Sequence, residues 1–311
     1  MLNCQIAVKQ KTIKQFSNLT SGIESLIVFM KKEKINFFNF DDNVKIYYEI
    51  YGKGETVLLC IHGYGSSHES WYDILPFLAD YFILILIDLK GFGLSSKPDD
   101  NKYGVENHAE IILAFIEEMK LRNIIIMGQS YGAALALAVY LKAAKINKAA
   151  YFKKLILIDA TLFIDDLPIL KIRLKEPLLK RILLKTVPAK IIAKVSLRRM
   201  FFEKSKVTKG RIERYAKYIK RRGTNISFIK TALLMHPDVE DFIVPHLDKV
   251  NLPVLIIWGE NDPLTPVAHA YKLNRMISNS VLSIIPQCGH VPQEERPEGT
   301  ADIITNFLGK P

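Results

Sequence analysis

One serine, one histidine and one aspartate stand in this chain where they could share a single proton-transfer path. Ser130 lies in Gly128-Gln129-Ser130-Tyr131-Gly132, Asp262 in Gly259-Glu260-Asn261-Asp262-Pro263 and His290 in Gly289-His290-Val291-Pro292. A serine hydroxyl is a poor nucleophile at neutral pH and needs a neighbouring base to take its proton. His290 suits that task, because an imidazole titrates near the working pH. An aspartate on the far ring nitrogen would fix the tautomer and stabilise the imidazolium that forms, which is the part assigned to Asp262. The chemistry such a trio performs is attack on a carbonyl carbon through an acyl-enzyme intermediate.

Elements that must hold these groups apart in sequence and together in space are legible around each of them. Asn123 to Met127 is a short β-rich apolar run, as expected for a strand buried on both faces, and Ala133 to Val139 reads as a buried helix. The two glycines of the pentapeptide remove the Cβ atoms that would obstruct so sharp a strand-to-helix turn. Val57 to Ile61 runs into His62-Gly63-Tyr64-Gly65, and Phe82 to Asp88 into Leu89-Lys90-Gly91-Phe92-Gly93. Val254 to Trp258 precedes Asp262, and Val281 to Pro286 precedes His290. Each candidate therefore follows a strand, where open α/β sheets place their ligands. Asn36 to Phe40 and Lys45 to Tyr51, joined by Asp41-Asp42-Asn43, form an expected opening hairpin. A tetrahedral intermediate needs two backbone donors, and the amides of Tyr64 and Tyr131 are the expected oxyanion hole.

With the order Ser130, Asp262, His290 the chain resembles the α/β-hydrolase superfamily, from about Ile35 to the C-terminus. The resemblance implies an α/β fold with a mostly parallel central sheet, helices on both faces and an inserted helical cap. It also implies that Asp88 fixes the glycine-rich turn after its strand, where Lys90 replaces the arginine frequent in relatives. Asp159, at the end of Leu155 to Ile158, is the rival to Asp262, with a capping role at the entry to the cap as its plainer reading. A serine at the nucleophile position separates the chain from relatives with an aspartate nucleophile, such as dehalogenases and epoxide hydrolases. Carboxylesterase and lipase-like members with a helical lid are the nearest match. His62 is expected to shape the oxyanion loop. His68, His108, His236, His246 and His269 are expected to be surface or packing residues.

The strand–helix alternation stops near Leu167 and resumes near Val254, with Pro168, Pro177 and Pro188 in between. The expected organisation is an N-terminal helical extension over 1–34, a catalytic domain over 35–165 and 237–311, and a helical cap over 166–236. Phe16, Leu19, Ile23, Leu26, Ile27 and Met30 recur at helical spacing in the extension. Of the three cysteines, Cys4, Cys60 and Cys288, none has the spacing of a disulfide framework or zinc site. No run approaches a transmembrane length and no secretory signal is legible, so a cytoplasmic protein, at most peripheral at a membrane, is expected.

Charge is unevenly spread. Lys171 to Arg222 holds 19 Lys or Arg against 3 acidic residues, a net of +16, whereas the whole chain carries +11, leaving −5 for the rest. Leu178, Leu179, Ile182, Leu183, Ile191, Ile192 and Val195 interleave with those bases. The plain reading is a solvated helical face packed on the catalytic domain by its apolar side. The sharper one is attraction to an anionic lipid surface or to an acidic carrier protein. Nucleic acid is not an expected partner, since no recognition motif accompanies the charge. No phosphate-binding loop implies a nucleotide cofactor, and no metal cluster is evident from spacing. The expected function is cleavage of a small-molecule carboxylic ester. The alternatives are a C–C bond hydrolase of the same fold and a non-catalytic binding protein on a hydrolase scaffold. An aminopeptidase would want acidic cap residues for the substrate amine, and this segment is basic.

Overall fold

The computed structural model describes residues 36–166 and 186–309. The expected N-terminal helix, Cys4, and the apolar positions Leu178, Leu179, Ile182 and Leu183 lie outside the described residues. Strands β1 (Asn36–Asn39), β2 (Lys45–Gly52), β3 (Val57–Ile61), β4 (Ile83–Ile87), β5 (Ile124–Gln129), β6 (Phe152–Ile158), β7 (Val254–Gly259) and β8 (Ser280–Ile285) form one sheet. Its order is β1-β2-β4-β3-β5-β6-β7-β8. The opening hairpin pairs antiparallel, β2 also runs antiparallel to β4, and every pair from β4 onward is parallel.

Parallel strands covered on both faces read as continuous apolar runs, and every residue of β5 and β7 is buried. The pleat sends alternate residues to opposite faces. Leu59, Ile61, Ile124 and Ile126 enter one core with helices α1 (Val105–Glu118) and α2 (Tyr131–Lys145). Leu58, Cys60, Ile125 and Met127 enter the other, with Trp71, Leu75 and Leu78 on one side and Ala301 and Ile304 of the C-terminal helix on the other.

Between β6 and β7 the described chain is helical: α3 (Ala189–Met200), α4 (Lys209–Ile219) and α5 (Thr224–Asp238), the last continuing past residue 236 through Pro237. Helices α6 (Val267–Met276) and α7 (Pro297–Leu308) complete the fold. The insert's own apolar clusters are small: Ala193, Ala216 and Ile219 in one, and Leu197 and Phe201 against Val291 in the other. Ala232 and Met235 of α5 also enter the core shared with α1 and α2, and polar contacts add to this attachment. Asp73 Oδ2 accepts from Arg211 at 2.8 Å and Arg214 at 2.7 Å, and both guanidinium groups also reach the buried Glu294. Glu69 accepts from Lys217 Nζ at 2.8 Å and Tyr218 Oη at 2.5 Å, and Lys230 pairs with Asp99 at 2.8 Å. Part of the insert's positive charge is thus matched by acidic groups of the sheet-bearing body.

Candidate active site

Ser130 closes the step from β5 to α2 with φ +56° and ψ −119°, a left-handed backbone that a non-glycine residue holds only where its surroundings impose it. Four backbone hydrogen bonds do so: the Ser130 amide donates to Ile158 O at 2.8 Å, while Ser130 O accepts from Ala133 at 3.0 Å, Thr161 at 3.2 Å and Ala134 at 3.3 Å. The flanking glycines are required by close approach. A Cβ on Gly132 would stand 2.1 Å from Ile61 O, and one on Gly128 would stand 2.2 Å from Gly132 O.

The hydroxyl so presented meets His290, whose Nε2 lies 2.9 Å from Ser130 Oγ. On the other edge of the ring, Nδ1 lies 2.6 Å from Asp262 Oδ2. A carboxylate there accepts the Nδ1 proton, which leaves Nε2 as the acceptor facing the serine. Asp262 is itself fixed by four donors: His290 Nδ1, Thr265 Oγ1 at 2.6 Å, and the amides of Leu264 at 2.7 Å and Thr265 at 3.1 Å. Burial alone would raise its pKa, but His290, Thr265 and Leu264 hold the carboxyl below the usual aspartate range. His290 is positioned from both sides of its backbone: its amide donates to Met200 O at 2.7 Å, and its carbonyl accepts from Gln129 Nε2 at 2.8 Å. The Gly289 amide donates to the Glu295 carboxylate, which also accepts from the Phe202 and Glu203 amides. The histidine loop and the end of α3 are therefore one hydrogen-bonded unit.

The Tyr131 amide is the first of its helix, where no intrahelical acceptor exists. Among the described residues neither it nor the Tyr64 amide donates to a protein acceptor. His62, fully buried, accepts from the Leu89 amide at Nε2 (3.1 Å), so the proton on Nδ1 is donated to Gly63 O at 2.8 Å. Burial pushes its pKa down to about 4, so the ring is neutral, and it ties the Gly63-Tyr64 turn to the strand behind it. The two tyrosine side chains go elsewhere. Tyr131 is buried with its hydroxyl on His108, and Tyr64 donates to Phe228 O of α5 at 2.8 Å.

Asp88 accepts from the His68 amide and Nδ1 on one oxygen and from the Leu94 amide on the other, which braces the glycine-rich turn as expected. Lys90 is 2 % exposed, a rare depth for a lysine, and satisfies its ammonium on both Asp100 oxygens at 2.8 Å and on Lys102 O. Of the remaining histidines, His68, His108 and His269 are buried, whereas His236 and His246 are half-buried and bonded to Asp165 and Phe242 O. Cys60 and Cys288 are buried free thiols.

Two site residues carry no motif that would have announced them. Thr161 Oγ1 lies 2.9 Å from Ser130 Oγ, and Thr265 brackets the Asp262–His290 contact. Asp159 is brought next to Asp262 without touching the His290 Nδ1 that Asp262 holds: its Oδ1 accepts from the Gly259 amide at 2.9 Å. Ligand-type atoms of Asp159, Asp262 and His290 lie within 4.8 Å of one another, a grouping invisible in the spacing. Those of Asp262 and His290 are already engaged with each other, which leaves no open donor set for a metal ion.

The sequence pattern of the alpha/beta hydrolase fold matches residues 56–297. The chain belongs to the α/β-hydrolase family. Among relatives of this α/β-hydrolase, the uncharacterised hydrolase YugF of Bacillus subtilis is 28% identical over 278 residues, spanning 86% of this chain and 95% of that protein. The 2-hydroxy-6-oxo-6-(2'-aminophenyl)hexa-2,4-dienoic acid hydrolase of Metapseudomonas resinovorans is 27% identical over 264 residues, spanning 83% and 86%. A solved serine hydrolase involved in carbazole degradation, CarC, superposes with a TM-score of 0.74 at 25% identity, over 88% of this chain and 98% of that one. A thermophilic esterase from Thermogutta terrifontis shares the fold with a TM-score of 0.71 at 23% identity, over 88% and 96%.

Proposed function

We propose that this hydrolase cleaves a carboxylic ester through an acyl-enzyme intermediate on Ser130. The observation that carries the reading is the continuous path Ser130 Oγ–His290 Nε2 at 2.9 Å and His290 Nδ1–Asp262 Oδ2 at 2.6 Å, buried among strand ends. His290 takes the serine proton as Oγ attacks the carbonyl carbon, and Asp262 stabilises the imidazolium. The amides of Tyr64 and Tyr131, which have no acceptor of their own among the described residues, hold the oxyanion. His290 then donates its proton to the leaving alcohol oxygen, and the same histidine draws a proton from the water that releases the acid.

A second reading is favoured by the relatives: a hydrolase of the Metapseudomonas type, named for a 2-hydroxy-6-oxo-dienoic acid, would use the same serine on a C–C bond. The two separate on substrates. Purified protein is assayed with p-nitrophenyl esters of increasing acyl length and, in parallel, with a 2-hydroxy-6-oxo-hexadienoate, Ser130→Ala serving as control. Ester turnover lost in Ser130→Ala, with no loss of the dienoate chromophore, is the expected result. Dienoate cleavage far above ester cleavage would replace the ester reading with the C–C one. The binding-protein alternative requires neither substrate to turn over.

A further inference from the structure

Asp159 stands directly after β6 with φ +44° and no solvent exposure. Its Oδ1 accepts from the Gly259 amide, but Oδ2 is buried with no donor on it among the described residues. The carboxyl beside it is that of Asp262, with oxygens of the two within 4.8 Å of each other. The other titratable groups around the pair are the Glu295 carboxyl, the Cys288 thiol, His290 on the far side of Asp262, and His269. Two buried carboxyls this close strongly disfavour double ionisation, so one of the pair is expected to hold a proton. The hydrogen bonds decide where it rests. Asp262 accepts from four donors, including His290, and keeps the charge; Asp159 accepts from one.

We propose that Asp159 is a positioning residue of the relay, a neutral carboxyl whose proton is donated to the Asp262 carboxylate and tempers the basicity of His290. The inference rests on reading Ser130, His290 and Asp262 as the hydrolytic relay. Burial first, and the Asp262 charge second, push the Asp159 carboxyl well above the usual aspartate range, in keeping with that placement of the proton. A hydrogen bond donated to Asp262 disperses its charge and reduces its pull on the Nδ1 proton. Removing that donor should return the full charge to Asp262 and strengthen its hold on the Nδ1 proton, a change that the pH dependence of Ser130 reactivity reads.

Asparagine mimics the neutral acid, since its carbonyl accepts from Gly259 and its amide donates to Asp262; alanine removes both bonds. The rate of fluorophosphonate labelling of Ser130 is followed from pH 5 to 9 in wild type, Asp159→Asn and Asp159→Ala. Asp159→Asn should leave the acidic limb where it is, and Asp159→Ala should move it up by about one pH unit, the size expected for one hydrogen bond to a charged group. A downward move in Asp159→Asn would show an ionised Asp159 and overturn the proposal, as would an unmoved limb in folded Asp159→Ala. Infrared difference spectroscopy of wild type against Asp159→Asn at pH 7 needs neither labelling nor a folded alanine variant. It should show a protonated-carboxyl C=O stretch lost with the substitution, and its absence refutes the neutral acid. Failure of wild type to label at all would count against the hydrolytic reading, and the infrared band would still decide the protonation of Asp159.

Discussion

The strand ends that carry Ser130, Asp262 and His290 and the insert between β6 and β7 are held by different physics. The first is an apolar sandwich: β3, β5 and β7 are packed on both faces, and the serine turn is so close to its neighbours that a Cβ on either flanking glycine would strike backbone. The second buries Ala232 and Met235 in the main core and otherwise has small apolar clusters, and it docks further through Asp73, Glu69 and Glu294, which each collect several cations or hydroxyls, and Glu295, which collects backbone amides. Apolar burial is non-directional and tolerant of sequence, whereas a partly buried ion pair is strongly weakened when either partner is removed. The site frame is therefore expected to be most sensitive to steric intrusion and the docking of α4 to loss of a single charge.

Steric intrusion should have the largest effect. Gly132→Ala puts a methyl 2.1 Å from Ile61 O, and since backbone must move to admit it, the loss is expected to exceed about 3 kcal/mol of stability, read by chemical denaturation. A variant with wild-type stability would mean that the turn is not locked as described.

Removal of one docking charge comes next. Asp73→Ala strips the shared acceptor from Arg211 and Arg214 and leaves Glu294 as their one remaining acidic partner among the described residues, costing about 2–3 kcal/mol of insert attachment. Limited proteolysis should then cut within residues 186–249 faster than in wild type, while fluorophosphonate still reaches Ser130. Equal loss of labelling would show that the two regions are not separable.

A smaller effect concerns pH. His68 lies between them, with its Nδ1 on Asp88 and its ring against Tyr218 of α4. Burial alone would lower its pKa, but Asp88, Glu49 and Glu69 together raise it above the ordinary value. A raised histidine contributes stability that is fully present below its unfolded pKa, near 6.5, and is lost as pH rises through the folded value. Stability measured from pH 6 upward should therefore fall, and His68→Gln should flatten that part of the profile. A wild-type profile that is flat or rising there contradicts the assignment.

The smallest effect expected is at a membrane. Arg211, Arg214 and Lys217 of the basic segment pair with acidic groups of the sheet-bearing body, which favours its plain reading. Co-sedimentation at physiological salt should show no preference for anionic over neutral vesicles. A clear preference would restore the lipid-surface reading.

Much of this was legible in the sequence, for a physical reason. A strand buried on both faces is a local apolar run, and a sharp turn demands glycine where it occurs, so β3, β5, β7 and the residues after them could be read without knowing their neighbours. Contacts that join distant segments leave no such mark. Thr161 on Ser130, Glu295 on the Phe202 and Glu203 amides, and Asp73 on two arginines of α4 depend on how loops return to the sheet. Asp159 shows the limit well: it was visible as a rival to Asp262, and only the packing of β6 beside β7 sets the two carboxyls together. Lys90 is similar, because its buried ammonium is satisfied by Asp100, ten residues on.

The central claim is that His290 and Asp262 activate Ser130. Intact protein is treated with a fluorophosphonate, digested and analysed by mass spectrometry, beside Ser130→Ala and His290→Ala. The account predicts one adduct per chain, on the peptide containing Ser130. It also predicts no adduct in Ser130→Ala and labelling slowed at least ~10³-fold in His290→Ala. Folded wild-type protein that takes up no label, or takes it at another residue, would contradict it.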